Sequence, residues 1–177
     1  NLLSIEKYPF RIEGYDVSHM QGTDVVASMV VFTNGVSNKA EYRKFKTKID
    51  HNNDFYNMHE TIKRRLSEKN RKLWGLPSLV LIDGGKGQLD AAIRARDEAG
   101  CSTIPFIGLA KREEQIVLQN KKSGVILNKL SMQGLGGFST ESEDFTLINL
   151  PHNTNLVKLL QRIRDESHRF AVTYHSV

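Results

Sequence analysis

Three strand-like runs stand close together in the first 46 residues, and their spacing restricts the fold more than any other feature of the chain. Residues 11–18 (RIEGYDVS), 24–33 (DVVASMVVFT) and 39–46 (KAEYRKFK) are joined by connections too short for a crossover, so they are expected to run as an antiparallel meander. Gly22 lies in the first connection. Asn34-Gly35 in the second is a strong hairpin signal, because both residues tolerate positive φ.

The pattern then changes period. Residues 54–72 place Phe55, Met58, Ile62 and Leu66 at helical spacing, with Lys63, Arg64, Arg65, Lys69, Arg71 and Lys72 around the remaining face, which predicts one basic amphipathic helix. After Pro77, residues 79–82 (LVLI) form a short, wholly apolar run of the kind buried on both faces of a sheet. Residues 88–99 read as a helix ended by Gly100, and 104–110 (IPFIGLA) as a second buried strand, which together make a β-α-β unit with parallel strands. A small hairpin is expected from 115–118 and 125–127 around Lys121-Lys122-Ser123-Gly124. The Gly- and Ser-rich stretch 131–143 has little periodicity and is expected to be a flexible loop. Residues 155–174 close the chain as a long helix with Leu156, Leu159, Leu160, Ile163, Phe170 and Tyr174 on its buried stripe. This order predicts an α/β domain over 1–177, a mixed sheet with an antiparallel meander, parallel strands and helices on both faces, compatible with a ribonuclease H-like fold.

Composition narrows the classes of function. At 177 residues the chain can bury a sizeable core without disulfides or a structural metal. Its single cysteine, Cys101, excludes an intrachain disulfide and every multi-cysteine zinc motif, and fits a reducing compartment. No apolar stretch approaches the roughly 18 residues of a membrane span, so no membrane partner is expected. A net charge of +5 permits an anionic partner without requiring one. The start at Asn1, lacking both a Met and a signal-peptide pattern, suggests a piece of a longer chain.

Four acids and two histidines invite a chemical reading, each beside a plainer one. Asp16 lies within the first strand, where a charge is costly unless paired or bound to a cation; it also reads as a strand-end residue bonded to a loop amide. Asp83 directly follows the buried run LVLI and precedes Gly84-Gly85-Lys86-Gly87. Ligands gather at the carboxyl ends of parallel strands, but Asp83 could equally cap the following helix. Lys86 supplies a cation able to meet a phosphate, although the loop lacks the G-x-x-x-x-G-K-[ST] spacing of a nucleotide triphosphatase. His168 and Asp165, three residues apart on the last helix, share a face and read either as a functional pair, with Asp165 supporting His168, or as a solvated one. His19 reads as structural. Asp54, at the start of the basic helix, already complements the helix dipole. In the expected topology the first strand and the strand ending at Asp83 are neighbours, so Asp16, Asp83 and His168 can converge into a site for a hard divalent cation.

The strings RIEGYDVSHMQGTDVVASMVVF, KAEYRKF, NDFYNMHETIKRR, LPSLVLIDGGKGQL, IPFIGLAKREE and IRDESHRFAVTYH resemble, in order and spacing, the endonuclease domain of the UvrC family of bacterial nucleotide excision repair, from about Arg11 to His175. The resemblance implies a ribonuclease H-like nuclease that makes the 5′ incision beside a lesion in double-stranded DNA with Mg²⁺ or Mn²⁺. It implies that the catalytic set is Asp16, Asp83 and His168, with Asp54 as a further acid; the same three are the expected metal ligands, with His19 and Asp165 expected behind them. The implied partners are damaged DNA and the UvrB helicase subunit, the latter through regions outside this chain. Lys86 and the Lys63-Arg64-Arg65 face are the candidate DNA contacts, beside the reading of that face as merely solvated. A degenerate module that only binds nucleic acid or a protein is the competing class. It would be expected to have lost a carboxylate, whereas Asp16, Asp54, Asp83 and His168 are all present.

Overall fold

The computed structural model describes residues 2–4, 10–19, 25–47 and 54–173. In chain order the elements are β1 (Leu3–Ser4), β2 (Arg11–His19), β3 (Val25–Thr33), β4 (Val36–Ser37), a 3-10 turn (Lys39–Glu41), β5 (Arg43–Thr47), α1 (Asp54–Arg65), α2 (Glu68–Trp74), β6 (Leu79–Asp83), α3 (Lys86–Glu98), β7 (Phe106–Ala110), β8 (Gln115–Gln119), β9 (Ile126–Leu127), α4 (Lys129–Gly134), β10 (Phe138–Glu141), β11 (Phe145–Asn149) and α5 (Asn155–Thr173).

Among the described residues nine strands form one sheet in the order β10-β11-β8-β7-β6-β2-β3-β4, with β5 also pairing β3. The expected meander is present: β3 pairs antiparallel with both β2 and β5, and Asn34 (φ 52°) and Gly35 (φ 81°) supply the positive φ of the hairpin turn. Gly22 lies outside the described residues. The β6-α3-β7 unit is parallel, and β6 also runs parallel to β2, so the carboxyl ends of β6 and β7 and the later half of β2 point to the same edge. Strand β3 is buried almost throughout, as a central strand covered on both faces must be.

Alternation along β2 assigns the two faces. Glu13 points toward α1, where it meets Arg65. Gly14 and Asp16 point the other way, toward α5: a Cβ on Gly14 would lie 2.4 Å from Ile163 Cγ2. Helices therefore cover both faces. Only a glycine at position 14 lets α5 seat this closely, and the helix presents its small residues there. Ser167 and Ala171 are buried with Val157, Leu160 and Ile163, while Leu156, Leu159 and Phe170 of the expected stripe are only partly buried against the core. Tyr174 lies outside the described residues.

Three expectations are corrected. The basic helix over 54–72 is two helices, because Ser67 caps α2 by accepting from Asn70 N and Asn70 Nδ2 donates to Arg64 O at the end of α1. Segments 115–118 and 125–127 do not pair with each other: β8 lies between β7 and β11, and β9 pairs β1. The expected loop 131–143 contains most of α4 and the edge strand β10, which returns its backbone groups to β11. Glycines at 134, 136 and 137 hide the short helix and strand from a periodicity reading.

Candidate metal centre

Asp16 and Asp83 come from adjacent parallel strands and His168 from the helix packed across them. Asp16 follows Tyr15, which pairs with Ile82, so the two carboxylates emerge at the same level of the sheet. Opposite Asp16 on the other side, Ser28 Oγ donates to Ser167 O at 3.2 Å, which ties α5 to the sheet one residue before His168. His168 then spans the pair: Nδ1 is 2.7 Å from Asp16 Oδ2 and Nε2 is 3.0 Å from Asp83 Oδ2. One ligand atom from each of the three residues lies within 4.8 Å of the others, a set that could hold a metal ion.

The electrostatics of the pair are those of a cation site. Asp83 is buried, and neither carboxylate oxygen accepts a well-aligned hydrogen bond; its close neighbours are His168 Nε2, 3.0 Å from Oδ2, and the Asp16 carboxyl. The helix-cap reading of Asp83 fails on the same observation, since the residue capping α3 is Gly85 and no side chain bonds there. Burial, and then the charge of Asp83, push the Asp16 carboxyl up to about 6. Burial also raises Asp83, against the opposing charges of His168, Lys111 and Arg164. Two buried carboxylates that resist ionising side by side, one without a well-aligned donor, fit a divalent cation better than they fit each other.

The remaining candidates are placed as follows. Asp54 is the half-buried first residue of α1 and is not among the residues whose ligand atoms gather within 4.8 Å. The ring of its neighbour Phe55 lies where a Cβ on Gly87 would stand, so this helix start abuts the start of α3. His19 ends β2, and its side chain lies outside the described residues. Asp165 does not support His168: its side chain is 70% exposed and Oδ1 pairs with Arg164 Nη2 at 3.2 Å. Lys86 is exposed, with Nζ 5.7 Å from the centroid of the Phe145 ring. Lys63 is exposed and Arg64 pairs with Glu60 at 3.7 Å. Arg65 is a correction: its side chain is 1% exposed and it donates to both oxygens of Glu13, at 2.9 and 2.8 Å, so it is a core residue and no DNA contact.

Sequence reasoning passed over Lys111 and the Arg164–Glu114 ion pair beside it. Lys111 directly follows β7, as the Gly84 loop follows β6, and the rule that drew attention to Asp83 at a parallel strand's carboxyl end applied equally to it.

No helix among the described residues is long and apolar enough to cross a membrane. Residues 1–172 match the family model described as the UvrC RNAse H endonuclease domain. The UvrABC system protein C of Thermotoga maritima is 40% identical over 174 residues, covering 98% of this chain and 26% of that protein. The protein of the same name from Chlorobium chlorochromatii is 43% identical over 175 residues, covering 98% of this chain and 24% of that protein. The chain thus spans about a quarter of the length of the curated relatives it matches. Among solved structures, endonuclease V of Bacillus subtilis aligns over 94% of this chain and 81% of its own with a TM-score of 0.46 and 13% identity. The human endonuclease V catalytic domain aligns over 97% and 86%, with a TM-score of 0.45 and 16% identity. A family match over 172 residues, with relatives this similar across 98% of the sequence, makes the chain a member of the family of UvrC ribonuclease H endonuclease domains.

Proposed function

We propose that the chain is a divalent-metal-dependent DNA endonuclease that makes the incision 5′ to a lesion in bacterial nucleotide excision repair, leaving a 5′-phosphate and a 3′-hydroxyl. It acts in the bacterial cytoplasm alongside UvrB. The observation that carries this reading is the cluster of Asp16, Asp83 and His168, whose ligand atoms lie within 4.8 Å of one another, with the Asp83 carboxylate buried and lacking a well-aligned donor.

Asp16 and Asp83 would hold the ion, with His168 as a third ligand. Bound there, Mg²⁺ or Mn²⁺ would supply a Lewis acid that lowers the pKa of water and offsets charge on the phosphodiester. Asp54, at the rim formed by the starts of α1 and α3, orients the attacking water. Ser167 and Gly14 fix the height of α5 over β2 and so aim the imidazole. Lys86, Lys63 and Arg64 contact DNA phosphates outside the reacting group, a term that depends on salt and carries no sequence information.

The test is reconstituted incision of a lesion-bearing duplex by the full-length gene product with the other UvrABC subunits. Asp83→Ala and Asp16→Ala should each reduce the 5′ cut to background and abolish Mn²⁺ binding at this site, while both variants stay folded. A folded Asp83→Ala protein that still cuts 5′ at the normal rate returns the chain to the class of binding modules.

A further inference from the structure

The turn joining β7 to β8 lies near the carboxylates and carries two positive-φ residues. Ala110 pairs with Gln115, so the four residues Lys111, Arg112, Glu113 and Glu114 close the hairpin. Glu113 (φ 65°) and Glu114 (φ 55°) are consecutive left-handed residues, and neither is glycine. Such backbone persists only where its surroundings enforce it, and it gathers at functional sites. Two groups enforce it here. Arg164 of α5 forms an ion pair with Glu114 in which the side chains are 14% and 17% exposed. His152 Nε2 donates to Glu113 O at 3.2 Å. The turn is therefore tied to the helix that carries His168, one helical turn before it.

What this clamp presents is Lys111. In the parallel β6–β7 register Leu109 lies opposite Asp83, so Lys111 stands just past the carboxyl end of β7, on the rim of the Asp16–Asp83 pair. It is exposed and, among the described residues, has no ion-pair partner. A cation held here by a strained turn matches what phosphoryl transfer needs at the reacting group.

The geometry points to Lys111 as a direct contact to the scissile phosphodiester, its ammonium binding a non-bridging oxygen, with Glu114 and Arg164 as the residues that position it. This rests on the nuclease reading above. In the reaction a water oxygen bonds to phosphorus, the bond from phosphorus to the 3′ oxygen breaks, and that oxygen leaves with a proton. Lys111 exchanges no proton; it stabilises the charge gathering on the phosphoryl oxygens.

Single-turnover 5′ incision by the full-length gene product at saturating Mn²⁺ tests this. Lys111→Ala should cut about 100-fold more slowly or worse, Lys111→Arg should recover part of the loss, and Mn²⁺ affinity should be unchanged or tighter. The slope of log affinity for DNA against log salt should shrink by about 0.9, one phosphate contact. Glu114→Ala should slow the wild-type enzyme but add nothing in the Lys111→Ala background, which a merely structural role would not produce. The proposal is overturned if Lys111→Ala cuts at the wild-type rate, or is slow only because Mn²⁺ binds weakly, while Asp83→Ala is inactive. An active Asp83→Ala protein has a different signature: it overturns the nuclease reading and this inference with it.

Discussion

Glu13 is fully buried on the face of the sheet opposite the Asp16–Asp83 pair and is surrounded by donors. Arg65 contributes two bonds, Arg11 Nε one at 2.8 Å and Tyr15 Oη one at 2.6 Å. Burial alone would raise its pKa, yet the Arg65 hydrogen bonds and charge, with help from Tyr15 and Arg11, hold it below the usual carboxylate value. Arg65 is anchored in turn by donating to Gly75 O at 2.8 Å. Removing one partner strands the other's charge, so Arg65→Met should cost about 3–5 kcal/mol in urea unfolding, and the double variant Arg65→Met/Glu13→Leu should regain much of it. At low salt the DNA-binding slope of the single variant should be unchanged, because Arg65 never reaches the surface. A side chain's type was legible from the sequence here but its direction was not. Lys63, Arg64 and Arg65 are three consecutive cations, and only the packing of α1 on β2 turns the third inward while leaving the first in water.

Between elements, α5 packs closely on β2 beside the candidate site. Gly14 has no Cβ because Ile163 Cγ2 would stand 2.4 Å and Val30 Cγ2 3.2 Å from it. Five residues after Ile163 the same helix delivers His168 to Asp16 and Asp83. Gly14→Ala should therefore destabilise by about 1–3 kcal/mol through overpacking. It should also weaken Mn²⁺ binding, since any outward shift of α5 moves the imidazole away from the carboxylates. Ile163→Ala in the same chain should restore the metal affinity, read by titration calorimetry; unchanged affinity in Gly14→Ala would separate helix seating from ligand placement. The antiparallel meander and the parallel β6–β7 pair follow from run length and connection length, as expected from the sequence, whereas the place of β8 between β7 and β11 does not. The split of the basic helix at Ser67 and the elements within 131–143 depend on side-chain caps and on an edge pairing with β11, which carry no periodic signal.

At the scale of the molecule, the fold brings two carboxylates together in a buried place and accepts the electrostatic cost. Because burial and Asp83 raise the folded-state pKa of Asp16 to about 6, above its ordinary 3.8, the folded state binds more protons than the unfolded one between those values. Stability of the metal-free chain should then fall as pH rises from about 4 to about 6, by up to about 3 kcal/mol, and the loss should be complete above that window. Glu13 has the opposite sign: its lowered pKa contributes stability that is lost only as pH falls below the ordinary range. Thermal unfolding across pH 4–7 with and without Mn²⁺ checks this. Mn²⁺ should raise Tm more at pH 7 than at pH 5, and Asp83→Asn should flatten the metal-free pH dependence and abolish the Mn²⁺ effect.

The sequence by itself determined the meander, the parallel β-α-β unit and the long final helix, because these follow from local periodicity and turn chemistry, and it led to the expectation that Asp16, Asp83 and His168 converge. Tertiary structure alone decided that His168 spans both carboxylates and that Asp165 faces solvent beside Arg164. It alone also buried Arg65 against Glu13 and set Lys111 at the rim of the site on a strained turn. Each of these depends on which side chain a neighbouring element leaves room for, or on a partner distant in sequence. That information resides in the packing of α1 and α5 on the sheet and in no single stretch of the chain.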